Sequence, residues 1–283
     1  DDVESRGLGD VYKRQLLIDD EIVTQQKLAQ HFHVSPSSIV SDLEKIVERY
    51  RVTLIASKRG THIIGSEEEI QNSIFRFCED YLDFHGITTE ELFRETTQEI
   101  LFRIFPKKLV NAVFIQLEHV KNQTEFHFSV QYLKSLLIRL LVFCFRLSKQ
   151  KHIEEKKFLF DQIKMIDTYL IANELVANIA EKAEFDYYEE DVSYINRQLV
   201  GYGVKLTAKE PESYEKYAVT IHKILKSMSE IMQVDFLEDD QLAERFTSHF
   251  IPMIYRLKMG IVITNPLVCL LYTSPSPRDS TSS

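Results

Sequence analysis

The stretch TQQKLAQHFHVSPSSIVSDLEKIVERYRVTLIASKRGTHIIG, residues 24–65, decides how the front of this chain folds. Thr24 is a helix-capping residue, and Leu28 and Ala29 form the inward side of a short helix over Gln25 to His31. His33-Val34-Ser35 reads as a tight turn. Ser35 is a second cap, and Pro36 stands at the first helical position, where its missing N–H costs nothing. The helix it opens runs to Tyr50, with Ile39, Leu43, Ile46 and Val47 as its apolar stripe. Val52 to Ala56 then reads as a strand, Ser57-Lys-Arg-Gly60 as a charged turn, and His62 to Ile64 as a returning strand. The pattern predicts a helix-turn-helix followed by a two-stranded wing over residues 16–65.

Such a motif sets its second helix in the major groove of DNA, where side chains near the helix start meet base edges. The candidates on that helix are Ser37, Ser38, Ser41 and Lys45. Lys58 and Arg59, at the wing tip, are placed for backbone phosphate, which adds affinity without sequence information. Residues 16–65 carry six basic side chains (Lys27, Lys45, Arg49, Arg51, Lys58, Arg59) against six acidic ones (Asp19, Asp20, Glu21, Asp42, Glu44, Glu48). A neutral module of this kind needs dimerisation or a second module to hold DNA. The alternative is a winged helix used only for protein contacts.

After Gly65 the apolar spacing is helical almost throughout, with helices expected over 67–83, 89–104, 106–121, 129–149, 155–182, 187–201, 212–231 and 238–258. Composition agrees with a mostly α-helical chain. Of 283 residues, 44% are hydrophobic and 27% charged, with 8 Gly, 7 Pro and a net charge of −9, which excludes a disordered or fibrous protein. The longest apolar run, Leu136 to Phe145, is interrupted by Arg139 and reads as a buried helix rather than a membrane span. Cys78, Cys144 and Cys269 are too few and too scattered for a disulfide framework, and no secretory signal is evident, so the expected setting is cytoplasmic.

No catalytic constellation appears: there is no phosphate-cradling glycine loop, nucleophile elbow or zinc-protease motif, so an enzyme is not expected. His31 and His33 straddle a helix end without a third ligand, and neither a metal nor another cofactor is predicted. Acidic pairs such as Glu189-Glu190 and Asp239-Asp240 fall at helix starts, where carboxylates complement the helix dipole. Residues 1–15 and 270–283 show no periodicity, resemble translated adaptor sequence, and are set aside as non-native.

Two segments echo each other. Residues 128–146 and 237–256 each pair a polar helix start with a long amphipathic helix and an Arg near its end, and Arg146 and Arg256 lie 110 residues apart. In the second copy, His249 precedes Arg256 by seven residues, two helical turns on one face. A neutral imidazole is a nucleophile able to accept a phosphoryl group, and a guanidinium two turns on is a natural partner for the product. A packing or interface histidine is the alternative.

Residues 24–35, Ile39, Asp42-Leu43 and Gly60 to Glu67 resemble the DNA-binding module of BglG-type transcriptional regulators. Asp235 to Leu242, running into His249-Phe-Ile-Pro-Met-Ile-Tyr-Arg256-Leu257 and then Asn265-Pro266-Leu267, resembles the opening half of a phosphotransferase-system regulation domain, or PRD. The resemblance implies tandem helical-bundle PRDs, usually dimeric, phosphorylated on histidine by the phosphocarrier HPr and sugar-specific enzyme II components. It divides the chain into a helical connector (66–105), a first PRD (106–208) and a partial second PRD (209–269), an interior fragment of a longer protein. His249 matches the first acceptor position of the second PRD, with Arg256 its partner. The first PRD departs from the pattern, with Arg139 and Gln198 where histidines are usual, so it is not phosphorylated there. The function implied is a DNA-binding regulator of carbohydrate-utilisation genes, homodimeric and without membrane attachment. The alternatives are an RNA-binding antiterminator and a phosphorylation-independent, dimeric virulence-type regulator.

Overall fold

The Ser35 side chain accepts from the Ser38 N–H at 3.1 Å, closing the first turn of the helix that Pro36 enters. The computed structural model of the chain describes residues 13–14, 16–19, 22, 24–31, 33–57, 60–122, 126–127, 132–153, 168–202, 205–206 and 212–259. At the front, α1 (Gln25–His31) and α2 (Pro36–Tyr50) are joined through a turn in which His33 adopts a left-handed conformation, φ 54°. Strands β1 (Thr53–Ser57) and β2 (Gly60–Ile64) follow as an antiparallel hairpin, Thr53 opposite Ile64 and Ser57 opposite Gly60. This is the element order read from the sequence.

The inward stripe of α2 needs one correction. Ile39, Leu43, Ile46 and Tyr50 are buried, whereas Val47 is 37% exposed. Spacing of three and four residues continues from Ile46 to Tyr50, and Val47 falls about 100° round the helix, beside the hairpin.

Gly65 bridges the hairpin to the next helix at φ +149°, where a Cβ would meet Glu69 Oε2 at 3.0 Å. That carboxylate is engaged in a capping box: the Ser66 N–H donates to Glu69 Oε2 at 2.8 Å and the Glu69 N–H donates to Ser66 Oγ at 3.3 Å. The box starts α3 (Glu67–Phe84). The helix expected over 89–104 is only α4 (Glu95–Leu101), flanked by turns. Arg94 N–H bonds back to Glu91 O, and the buried Thr97 hydroxyl donates to the same carbonyl at 2.9 Å, so the chain turns before helix can form.

Helices α5 (Lys107–Asn122), α6 (Leu133–Ser148), α7 (Tyr169–Ala183) and α8 (Glu189–Gly201) complete the first bundle. Two-residue strands β3 (Phe126–His127) and β4 (Lys205–Leu206) pair antiparallel, too short to leave a period in the sequence. Fourteen of the sixteen residues of α6 are buried, as its apolar run requires. It packs on α3, α5, α7 and α8. One continuous core runs from Leu16–Ile18 through α1, α2 and the bundle to Tyr202. Lys13 and Arg14, inside the stretch set aside as 1–15, are helical, and Arg14 O accepts from Ile18 N–H at 2.8 Å.

Helices α9 (Glu212–Met232) and α10 (Asp240–Met259) share a small second core around Ile221 and Leu225, and α10 also packs on α8. Asp239 caps α10 by accepting from Leu242 N–H at 3.0 Å. The chain is mostly helical, and no helix among the described residues is long and apolar enough to cross a membrane. Cys78 and Cys144 are free, buried thiols whose ionisation burial pushes up. Residues 154–167, 260–283 and Cys269 lie outside the described residues.

Candidate nucleic-acid interface and phospho-acceptor helix

The N-terminal turns of α2 present hydroxyls. Ser37, Ser38 and Ser41 are all exposed, and the Ser37 and Ser38 hydroxyls each lie 2.8 Å from Ser35 Oγ. The cap thus fixes two of the three candidates against the helix start. Lys45, one turn beyond Ser41, is exposed but donates to Asp42 Oδ1 at 3.0 Å. Lys58 and Arg59 lie outside the described residues, between the paired Ser57 and Gly60.

The outward face of α2 also carries Glu44 and Glu48, which the sequence reading counted as charge but did not place. With Val40, Val47, Leu54 and Ala56 they line an open groove of about 320 Å³ between α2 and the hairpin. Carboxylates there repel phosphate, so the surface suited to nucleic acid is the first two turns of α2. The same helical spacing that located the serines locates these glutamates.

The first bundle holds a polar network at the positions where the sequence reading found Arg139 and Gln198. Arg139 is 1% exposed; its Nη1 donates to Asn72 Oδ1 at 2.8 Å, and its guanidinium stacks 4.0 Å from the Phe75 ring centre. Burial works against its charge, and the phenol oxygens of Tyr194 and Tyr202, with Glu79, offset that, so the net direction is upward and the group stays charged. Arg146, 2% exposed, forms a two-pronged pair with Glu67: Nε to Oε1 and Nη2 to Oε2, both 2.7 Å. Arg197 Nη2 reaches Glu68 Oε1 at 3.3 Å, and Gln198 is buried beside it. Glu67, Glu68 and Asn72 come from α3, 67 to 129 residues away in sequence. Glu67 and Glu68 lie in the acidic first turn of α3, and no local pattern ties that turn to the arginines.

His249 and Arg256 both fall on α10, in the helical register the spacing predicts. Their side chains lie outside the description. Around them, Ala243, Phe246 and Phe250 face the small core, with the Phe246 and Phe250 rings stacked at 5.4 Å, while Met253 and Leu257 are exposed. The structure brings α10 against α8 of the first bundle, far along the chain from α2.

Residues 222–270, which include His249 and Arg256, match the family model described as PRD domain. That segment is similar to a PRD domain, and curated proteins similar to the chain are transcriptional regulators. Among the similar proteins is the "Transcriptional regulator ManR" of Bacillus subtilis (strain 168), 20% identical over 261 residues, covering 89% of this chain and 38% of that protein. The "Probable licABCH operon regulator" of the same organism is 19% identical over 271 residues, covering 91% of this chain and 40% of its own length. The chain spans about two fifths of the length of these curated relatives. Both are named as regulators rather than as enzymes.

Proposed function

We propose that the chain is part of a DNA-binding transcriptional regulator of carbohydrate-utilisation genes, switched by phosphotransferase-system phosphorylation of His249. The observation that carries the reading is the PRD match over 222–270, which places His249 and Arg256 inside the matched segment. The helices and hairpin of residues 25–64 support duplex DNA as the target rather than hairpin RNA, because a helix of the size of α2 fits a DNA major groove. The names of the two Bacillus relatives support gene regulation as the setting.

In this reading a phosphocarrier such as HPr, or an enzyme II component, transfers a phosphoryl group from its own histidine to the His249 imidazole. One P–N bond breaks as the other forms. By analogy with other phospho-residues, the product adds close to two negative charges to α10. Arg256, two turns on, pairs with it, and the dimer equilibrium of the protein shifts. A coupling of about 1–3 kcal/mol changes DNA occupancy roughly 5- to 150-fold. Gel shift with duplex DNA against hairpin RNA, before and after phosphotransfer, tests both parts. Duplex binding that changes on phosphorylation is expected; preference for the RNA hairpin overturns the DNA assignment.

A second reading, a dimeric regulator of the virulence type that works without phosphorylation, is favoured by one observation. Arg139 and Gln198 are buried and built into the bundle, which leaves the first PRD-like unit without an acceptor at either position.

A further inference from the structure

Helix α2 carries one more cation, Arg49, a turn beyond Lys45 on the flank shared with Ser38 and Ser41. Its guanidinium grips the Asp80 carboxylate of α3 with two bonds, Nε to Oδ2 at 2.5 Å and Nη2 to Oδ1 at 2.8 Å. The same part of α3 meets α2 twice more. Arg76 Nη1 donates to the Tyr50 carbonyl at 3.2 Å, and the Phe77 ring meets Tyr50 edge-on at 6.0 Å between centroids. The Arg49 side chain is nonetheless 65% exposed and that of Asp80 33%, so the fork sits at the surface. Both cations on this flank are therefore held by carboxylates, Lys45 by Asp42 and Arg49 by Asp80.

We propose that Arg49 is a further phosphate-contacting residue of the DNA-binding head, and that Asp80 withholds it in the unbound protein. The proposal rests on the DNA-binding reading above. A phosphate offers a guanidinium the same two-pronged geometry as a carboxylate, and an exposed pair in water holds its partners only weakly. DNA therefore competes for Arg49, and the Asp80 charge opposes it. The position of Asp80 is itself set by the bundle, because the start of α3 is fixed through Glu67–Arg146 and Asn72–Arg139. Asp80 is one of three α3 residues, with Arg76 and Phe77, through which α3 meets α2.

The test uses the full chain, a labelled random-sequence DNA duplex, and fluorescence anisotropy across a salt series, since phosphate contacts are independent of sequence. Asp80→Asn is expected to bind about fivefold tighter at low salt, with the slope of log affinity against log salt steeper by about 0.9, one added phosphate contact. Arg49→Gln alone is expected to change little, and in the Asp80→Asn background to return binding and slope to the wild-type values. Asp80→Ser gives a second variant with the same expected gain. Unchanged or weaker binding by Asp80→Asn overturns the proposal, as does a gain that survives Arg49→Gln, which would be loss of repulsion alone. If no variant binds duplex, the DNA-binding reading fails and takes this proposal with it; duplex binding indifferent to Asp80 sinks this proposal only.

Discussion

In α6, every residue from Ser135 to Leu147 is buried; among the described side chains of α10, none is. The two helices come from segments that echo each other in sequence, each ending near an arginine, and they differ at the position seven residues before it. In α6 that residue is Arg139, enclosed by Asn72, Phe75, Tyr194 and Tyr202; in α10 it is His249. A helix surrounded on all sides can hold a permanent cation among partners arranged in advance, but it offers a phosphoryl donor no approach. Helix α10 packs on the small core and on α8, and its Met253 and Leu257 are exposed. Under the proposed function, this difference gives the two copies separate work: the first bundle holds α2 in place, and the second takes the phosphoryl group.

Four substitutions break or sharpen this contrast. The largest effect is expected from Arg146→Ala, which leaves Glu67 with an unpaired, largely buried charge and costs about 3–5 kcal/mol in urea unfolding. A loss under about 1 kcal/mol would mean the network is more hydrated than the structure indicates. Next, Leu140→Ala in α6 costs about 2–5 kcal/mol by the same measurement, whereas Leu257→Ala, 75% exposed on α10, stays within about 0.5 kcal/mol. Equal costs would erase the distinction between a closed and an open helix. Arg139→His is expected to lose about 1–3 kcal/mol, because Asn72 forfeits its hydrogen bond and the Phe75 ring its cation, and to acquire no phosphoryl group at 139 in a mass spectrum after phosphotransfer. Phosphorylation there would show that enclosure does not exclude the donor. One further effect is local to the backbone and indifferent to the contrast. Gln150 and Gln233, left-handed at φ 58° and 54° after α6 and α9, should each gain about 0.5–1 kcal/mol on replacement by Gly, read as a raised melting temperature.

How much of this was legible in the sequence depends on distance along the chain. Caps, turns and apolar spacing are local, so Thr24, Ser35, Pro36 and the run Leu136 to Phe145 located α1, α2 and α6 with ends close to those observed. Local reading erred where a tertiary contact intervened. Thr97 closing on Glu91 cut the helix expected over 89–104 to Glu95–Leu101, and packing against α3 selected Tyr50 over Val47 for the core. For the candidate site, spacing put His249 and Arg256 on one helical face and Ser37, Ser38 and Ser41 on another. It gave no sign that Glu67 holds Arg146 or that Asp80 holds Arg49, since those pairs join residues 79 and 31 positions apart. Arg139 was visible as an interruption in an apolar run; the ring of partners that makes it tolerable was not.

The proposed function divides the molecule between a fixed first bundle and a second one phosphorylated on His249. Intact-mass and site-resolved mass spectrometry after incubation with phosphoenolpyruvate, the general phosphotransfer enzyme and HPr tests it most directly. One phosphoryl group on His249, absent from His249→Ala, and none on His119, His127 or His152 of the first bundle is the predicted result. Incorporation between residues 106 and 208, or labelling undiminished in His249→Ala, would contradict it.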